Sequence, residues 1–193
     1  MDRRDGPGEE VNLAVDANSY RNRLRPWYLA AWLALILVLV VAAFVRRGPR
    51  EGGPAITIVT LAEEARAITL ESMKRLPTLS RRGTYQNQYD NWRDEGSYSG
   101  VLLIDLIGRD ETYESIRVIA EDGYEITVER ERVEDSEYPM ALAYAMDEQE
   151  VPAWSDGFRI AILPEDGSVG NEEYGVTSVG SYWVKNVERI ILQ

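Results

Sequence analysis

The sequence predicts a mixed α+β domain carried behind one transmembrane helix. Three observations lead there. Trp27 to Val45, WYLAAWLALILVLVVAAFV, is nineteen residues long and holds no charged side chain. A helix rising about 1.5 Å per residue crosses roughly 30 Å of hydrocarbon with about twenty residues, and only a helix satisfies its own backbone there. Beyond Ile56, short runs of β-branched and aromatic residues outnumber short helical signals, and no repeat links them. The 193 residues contain neither Cys nor His, which removes disulfides, thiolate chemistry, the usual zinc ligands and Ser–His or Cys–His nucleophile pairs.

Residues 1–26 open the chain as a polar tail containing Gly6, Pro7 and Gly8, and read as disordered. Trp27, Tyr28 and Trp32 sit at one end of the apolar run, where amphipathic rings favour the headgroup level. Arg21, Arg23 and Arg25 precede the run, and Arg46, Arg47 and Arg50 follow it, so the arginine count leaves orientation nearly tied. The tail is too short to fold, which favours tail inside and domain outside. A cleaved signal peptide is the lesser reading, because the apolar run exceeds a typical signal core. Residues 46–55, RRGPREGGPA, form a Gly/Pro linker, and residues 56–193 form the domain.

Within the domain, Ile56 to Val59 is expected as a first strand. Thr69 is placed to cap a helix from Leu70 to Arg75 that stops before Pro77. Gly83 to Ser97 is a polar aromatic segment, GTYQNQYDNWRDEGS. Val101 to Ile107 reads as a short helix. Ser115–Ala120 and Tyr124–Val128 flank Glu121-Asp122-Gly123, a hairpin turn signal. Ala141–Met146 and Arg159–Leu163 are two further strands, with Asp147 to Glu150 a charged turn. Pro164–Ser181 reads as a Gly-rich acidic loop, and Trp183–Leu192 as the closing strand.

Charge divides unevenly. Residues 1–50 carry eight Arg against five acids, while residues 51–193 carry 13 basic and 28 acidic side chains, for nets of +3 and −15. A domain this acidic repels phosphate backbones, so nucleic acid is not an expected partner. The acidity serves solubility. Asp166, Asn171, Glu172 and Glu173 could offer oxygen ligands to calcium, but their spacing does not follow the EF-hand pattern, so a solvated acidic loop is expected and no metal site. With so many acids, no pair stands out as general acid and base.

From Ile56 onward, six short stretches fall in a familiar order: Thr69–Pro77 (TLESMKRLP), Tyr98–Ile107 (YSGVLLIDLI), Asp122-Gly123-Tyr124, Ala143–Met146 (AYAM), Phe158–Pro164 (FRIAILP) and Tyr182–Val187 (YWVKNV). In this order the chain resembles the oxidoreductase molybdopterin-binding domain family, the sulfite-oxidase fold. It is most similar to a short, membrane-anchored archaeal-type branch, with GTYQNQYDNW at the family's active-site segment. The resemblance implies a molybdenum cofactor held by one cysteine, a phosphate grip of the form Ser-x-Lys, and in several members a His near the pterin. Here the cysteine segment reads Tyr85-Gln86-Asn87-Gln88-Tyr89, the nearest phosphate-grip equivalent is Ser178-Val179-Gly180 without lysine, and there is no Cys or His.

The expectation is therefore an empty or repurposed pocket, no catalytic residue and no cofactor, with molybdopterin retained only in the alternative reading. Its candidate lining is Tyr85, Asn87, Trp92, Arg93, Tyr182 and Lys185, offering aromatic faces, amides and cations. Tyr85, Trp92 or Tyr182 is expected to fill the pterin's space, with Asn87 near the lost cysteine's place. Plain packing is the competing role, with Trp92 as a plug over the core and Trp183 as a core residue. The leading expectation is a single-pass protein in the cell membrane. Its extracytoplasmic domain, non-catalytic, would bind a small ligand or a surface protein. The alternatives are a molybdopterin-dependent oxidoreductase without cysteine ligation and an accessory subunit of a membrane complex.

Overall fold

A computed structural model describes residues 53–193. The expected transmembrane helix, the tail and most of the linker lie outside the described residues. Among the described residues no helix is long and apolar enough to cross a membrane.

The chain enters as β1 (Ala55–Val59) and turns back as β2 (Ala65–Thr69). Thr69 then caps α1 (Leu70–Met73), its hydroxyl accepting the Ser72 N–H at 3.2 Å. This helix is shorter than expected. Two long strands follow, β3 (Thr78–Gln86) and β4 (Trp92–Leu102), joined by a tight turn. The apolar run after Gly100 therefore splits: Val101 and Leu102 finish β4, and only Leu103–Ile107 forms α2. β5 (Ser115–Ala120) and β6 (Glu125–Glu129) make the expected hairpin, with Gly123 at φ +87° in its turn. After α3 (Arg130–Val133) come β7 (Met140–Met146), β8 (Gln149–Glu150) and β9 (Arg159–Ile162).

The expected acidic loop is more ordered than a solvated loop would be. It contains β10 (Ser168–Val169) and α4 (Asn171–Tyr174), and it buries Val169, Tyr174 and Val179. The apolar burial outweighs the flanking charge and holds the segment on the core. Gly167 and Gly175, both at positive φ, supply its corners. The closing strand β11 is Val187–Leu192 alone; Val179–Tyr182 is a 3₁₀ turn, and Trp183 to Asn186 is irregular.

Among the described residues the strands form two sheets. One runs β2-β1-β11-β5-β6, the other β10-β3-β4-β7-β8, with β9 also paired to β7. The β1–β11 and β10–β3 pairs are parallel, and the first of them sets the last strand beside the first. One continuous apolar core joins Ile56, Ile58, Ile116, Val118 and Ile190 of the first sheet to Val101, Leu142 and Ile160 of the second. β9 is buried at all four positions, Arg-Ile-Ala-Ile. A strand buried on both faces is ordinarily continuous in apolar residues. Arg159 breaks that rule.

Candidate functional site

The long β3–β4 hairpin brings the site together. Gly83 faces Gly96 and Tyr85 faces Arg93, so Asp94 and Glu95 oppose the single residue Thr84. This is a β-bulge, a device that re-aims a side chain. Asp94 sits in the bulge at φ +50°, a left-handed conformation that Asp tolerates better than most residues. The turn before β9 supplies Asp156, three residues ahead of Arg159. The irregular segment before β11 supplies Lys185.

These four side chains form one charged cluster. Arg159 donates through Nη1 to Asp156 Oδ2 at 2.8 Å and through Nη2 to Asp94 Oδ2. Lys185 Nζ lies 3.0 Å from Asp156 Oδ2 and 3.2 Å from Asp94 Oδ2. Arg159 is 0% exposed. Three rings enclose its guanidinium, Trp183 at 5.2 Å and Tyr85 and Tyr98 at 5.8 Å from Cζ. A desolvated contact of this kind is worth about 2 kcal/mol. The rings also pack on one another: Tyr85 lies 4.8 Å from Trp183, and Tyr98 meets Trp183 edge-on at 5.2 Å. Arg159 Nε and Trp183 Nε1 are buried without a hydrogen-bond partner.

Burial works against the charge of Asp94, but the hydrogen bond from Arg159 and the charges of Arg159 and Lys185 outweigh it and hold the carboxyl below its usual range. Burial first, and then the Asp94 charge, push the Tyr85 hydroxyl up. Burial likewise raises Tyr98, whose hydroxyl donates to the Asp94 carbonyl. Because the folded pKa of Asp94 is depressed, its contribution to stability is full above the unfolded carboxylate value of about 3.9 and is lost as pH falls through the folded value. Urea midpoints measured from pH 7 down to pH 3 are therefore expected to fall more steeply below about pH 4 in the native protein than in Asp94→Asn. Parallel curves would remove Asp94 as the cause.

Of the expected lining residues, Tyr85 and Lys185 meet at this cluster, and Tyr85 donates to Asp94 Oδ2 at 3.3 Å. The other four go elsewhere. Asn87 turns its Oδ1 back to the N–H groups of Tyr89 and Asn91, at 2.9 and 3.1 Å, and closes the hairpin tip. Trp92 is 51% exposed, so it is no plug over the core. As the first residue of β4 it pairs with Gln86 beside the tip, beyond the reach of the core. Arg93 is exposed too. Tyr182 packs edge-on against Tyr174 at 5.6 Å and beneath Arg132.

The tip of the β3–β4 hairpin is held by Asn171. Its Nδ2 donates to Asn87 O and Asp90 Oδ1, its N–H donates to Gln86 Oε1, and its Oδ1 accepts Val179 N–H, all between 2.7 and 2.9 Å. Close by, a Cβ on Gly180 would come within 2.7 Å of the Tyr85 ring. Among the described residues no group of three or more acids could hold a metal ion.

The cluster floors an open cleft of about 350 Å³, lined by Asp94, Met146, Asp147, Gln149, Trp154, Ser155, Asp156, Arg159 and Lys185. Sequence reasoning missed Asp94, Asp156 and Arg159. The one local signal was an arginine heading an apolar strand, RIAIL, with an acid three residues before it.

No family model and no curated protein matches the chain. Among solved structures, it is similar to the sulfane dehydrogenase SoxCD from Paracoccus pantotrophus, with a TM-score of 0.53 at 15% identity over 72% of this chain. The chain spans 38% of that protein's length. Likeness at that identity concerns the fold alone: the described domain is a sheet-dominated α+β structure that resembles the sulfite-oxidase-like fold.

Proposed function

We propose that this chain is a single-pass membrane protein whose extracytoplasmic domain is a binding domain built on the sulfite-oxidase-like fold and no longer a molybdenum enzyme. The observation that carries this reading is the arrangement at Arg159: a neutral quartet of two acids and two bases at the floor of a small cleft, with no thiolate near it. Molybdenum prefers a thiolate, and the chain has none. The three carboxylates of the cleft, Asp94, Asp147 and Asp156, oppose a phosphate-bearing cofactor. Asn171 occupies the hydrogen-bonding positions around the would-be ligand segment. The residues present do not fit a molybdenum cofactor, and no reaction step is assigned to one.

The fold likeness to a dehydrogenase favours a second reading, an oxidoreductase that holds molybdopterin without cysteine. Elemental analysis of the detergent-purified full chain, with fluorescence of oxidised pterin, separates the two. Metal and pterin far below stoichiometry are expected. Near-stoichiometric molybdenum or tungsten would overturn the binding-domain reading. The third reading, an accessory subunit of a membrane complex, predicts co-migration with a larger partner after mild solubilisation; migration alone is expected.

Topology has its own test. Protease added to intact cells is expected to remove the chain beyond about Arg46. Protection of the domain until lysis would put it in the cytoplasm.

A further inference from the structure

We propose that the cleft beside Arg159 binds a small zwitterion carrying one primary ammonium and one carboxylate, an α-amino acid in chemical class. The inference rests on the binding-domain reading and names the ligand of that same site.

Size speaks first. At about 350 Å³ the cleft lies at the bottom of the range of about 300–1,000 Å³ found for small-molecule sites. It suits a metabolite of a few heavy atoms and not an extended cofactor.

Charge speaks second. Arg159 and Lys185 balance Asp94 and Asp156, so Asp147 leaves the lining one negative charge in excess. The contacts within the protein engage Oδ2 of Asp94, Oδ2 of Asp156, and Oδ1 of Asp147, which accepts Ser97 N–H at 2.8 Å. The second oxygen of each carboxylate remains for a donor. These acids line one cleft yet do not converge on a point that could hold a metal ion. A donor with several hydrogens and some extent, such as an ammonium group, meets spaced carboxylates better than a bare ion does.

The third observation points to the opposite pole. Arg159 lines the cleft but is 0% exposed, so its positive charge acts on a ligand through the cleft floor and not by direct contact. Lys185 is 44% exposed at the side chain and keeps a third ammonium hydrogen beyond its two acids. A ligand carboxylate finds its donor in Lys185, with the Arg159 charge behind it. A simple amine lacks that pole, and a simple anion meets the excess negative charge.

The test is calorimetry and thermal shift on the purified full chain in mild detergent, with L-serine and L-lysine as probes and n-butylamine and n-butyrate as single-charge controls. An amino acid is expected to bind and raise the unfolding midpoint, while neither control does. Lys185→Gln and Asp147→Asn are each expected to weaken binding about tenfold, the worth of one charged hydrogen bond. Both variants should fold, since Lys185 is half-exposed and the amide oxygen introduced by Asp147→Asn still accepts Ser97 N–H. Binding of butylamine as tight as that of the amino acids overturns the zwitterion, and so does no binding by any probe at millimolar concentration. Either outcome, in protein free of molybdenum, leaves the binding-domain reading standing; a molybdenum-loaded protein is the separate failure of that reading.

Discussion

Replacing Arg159 with methionine is expected to destabilise the domain by about 3 kcal/mol or more. The guanidinium is fully buried, and its loss strands Asp94 and Asp156, which are 29% and 20% exposed at their side chains. Lys185 remains to satisfy them in part, which puts the loss at the lower end of the usual range for breaking a buried pair. Methionine keeps most of the apolar contact with Tyr85, Tyr98 and Trp183, so the lost charge and not a cavity is what is measured. The decisive comparison is with R159M/D94N/D156N. Removing all three charges together is expected to recover much of the stability, because desolvation of the pair disappears with the pair. The comparison is read from urea unfolding followed by tryptophan fluorescence. A single-variant loss under about 1 kcal/mol would show that the cluster behaves as a surface ion pair.

Replacing Gly100 with alanine is the second large effect. Gly100 lies in β4 against β7, just where the register of that pair shifts. An added Cβ would come within 2.4 Å of Leu142 O, 2.6 Å of Ala143 Cα and 2.8 Å of Ala143 N. All three atoms are backbone, so no side chain can swing away. The two central strands must separate, and Ala141, Ala143 and Ala145 of β7 lose the close packing their small size permits. A cost of about 3 kcal/mol or more is expected, at or above the upper end of ordinary overpacking. Gly123→Ala is the control. It has open space and φ +87°, so only backbone strain opposes it, about 1–2 kcal/mol. Equal losses in the two variants would mean that the β4–β7 contact is not the tight point of the core.

Where a signal is local, it was legible. Thr69 caps a helix because its hydroxyl reaches an N–H three residues on, and Glu121-Asp122-Gly123 turns a hairpin because Gly123 adopts positive φ. The β3–β4 hairpin does not announce itself as strands. Its polar alternation, with Leu79, Gly83 and Tyr85 on one strand and Tyr98 and Gly100 on the other, is weak, and its closing turn depends on Asn87, Asp90 and Asn171 acting together. The charged site was less legible still. Tyr85 and Lys185 stood out as an aromatic and a cation in suggestive stretches. Nothing local distinguishes Asp94 or Asp156 from the other acids, and Arg159 reads as the polar end of a strand.

By itself, the sequence determined the class of domain, the absence of thiolate and imidazole, the strongly acidic balance and the strands β1, β5, β6, β7, β9 and β11. These follow from composition and from alternation, caps and turns that act within a few residues. Only the tertiary structure decided that Arg159 is buried, that a bulge turns Asp94 toward it across 65 residues of chain, and that Lys185 closes the cluster. A buried charge is tolerated only where partners converge on it from distant segments, and that convergence belongs to the packed sheets.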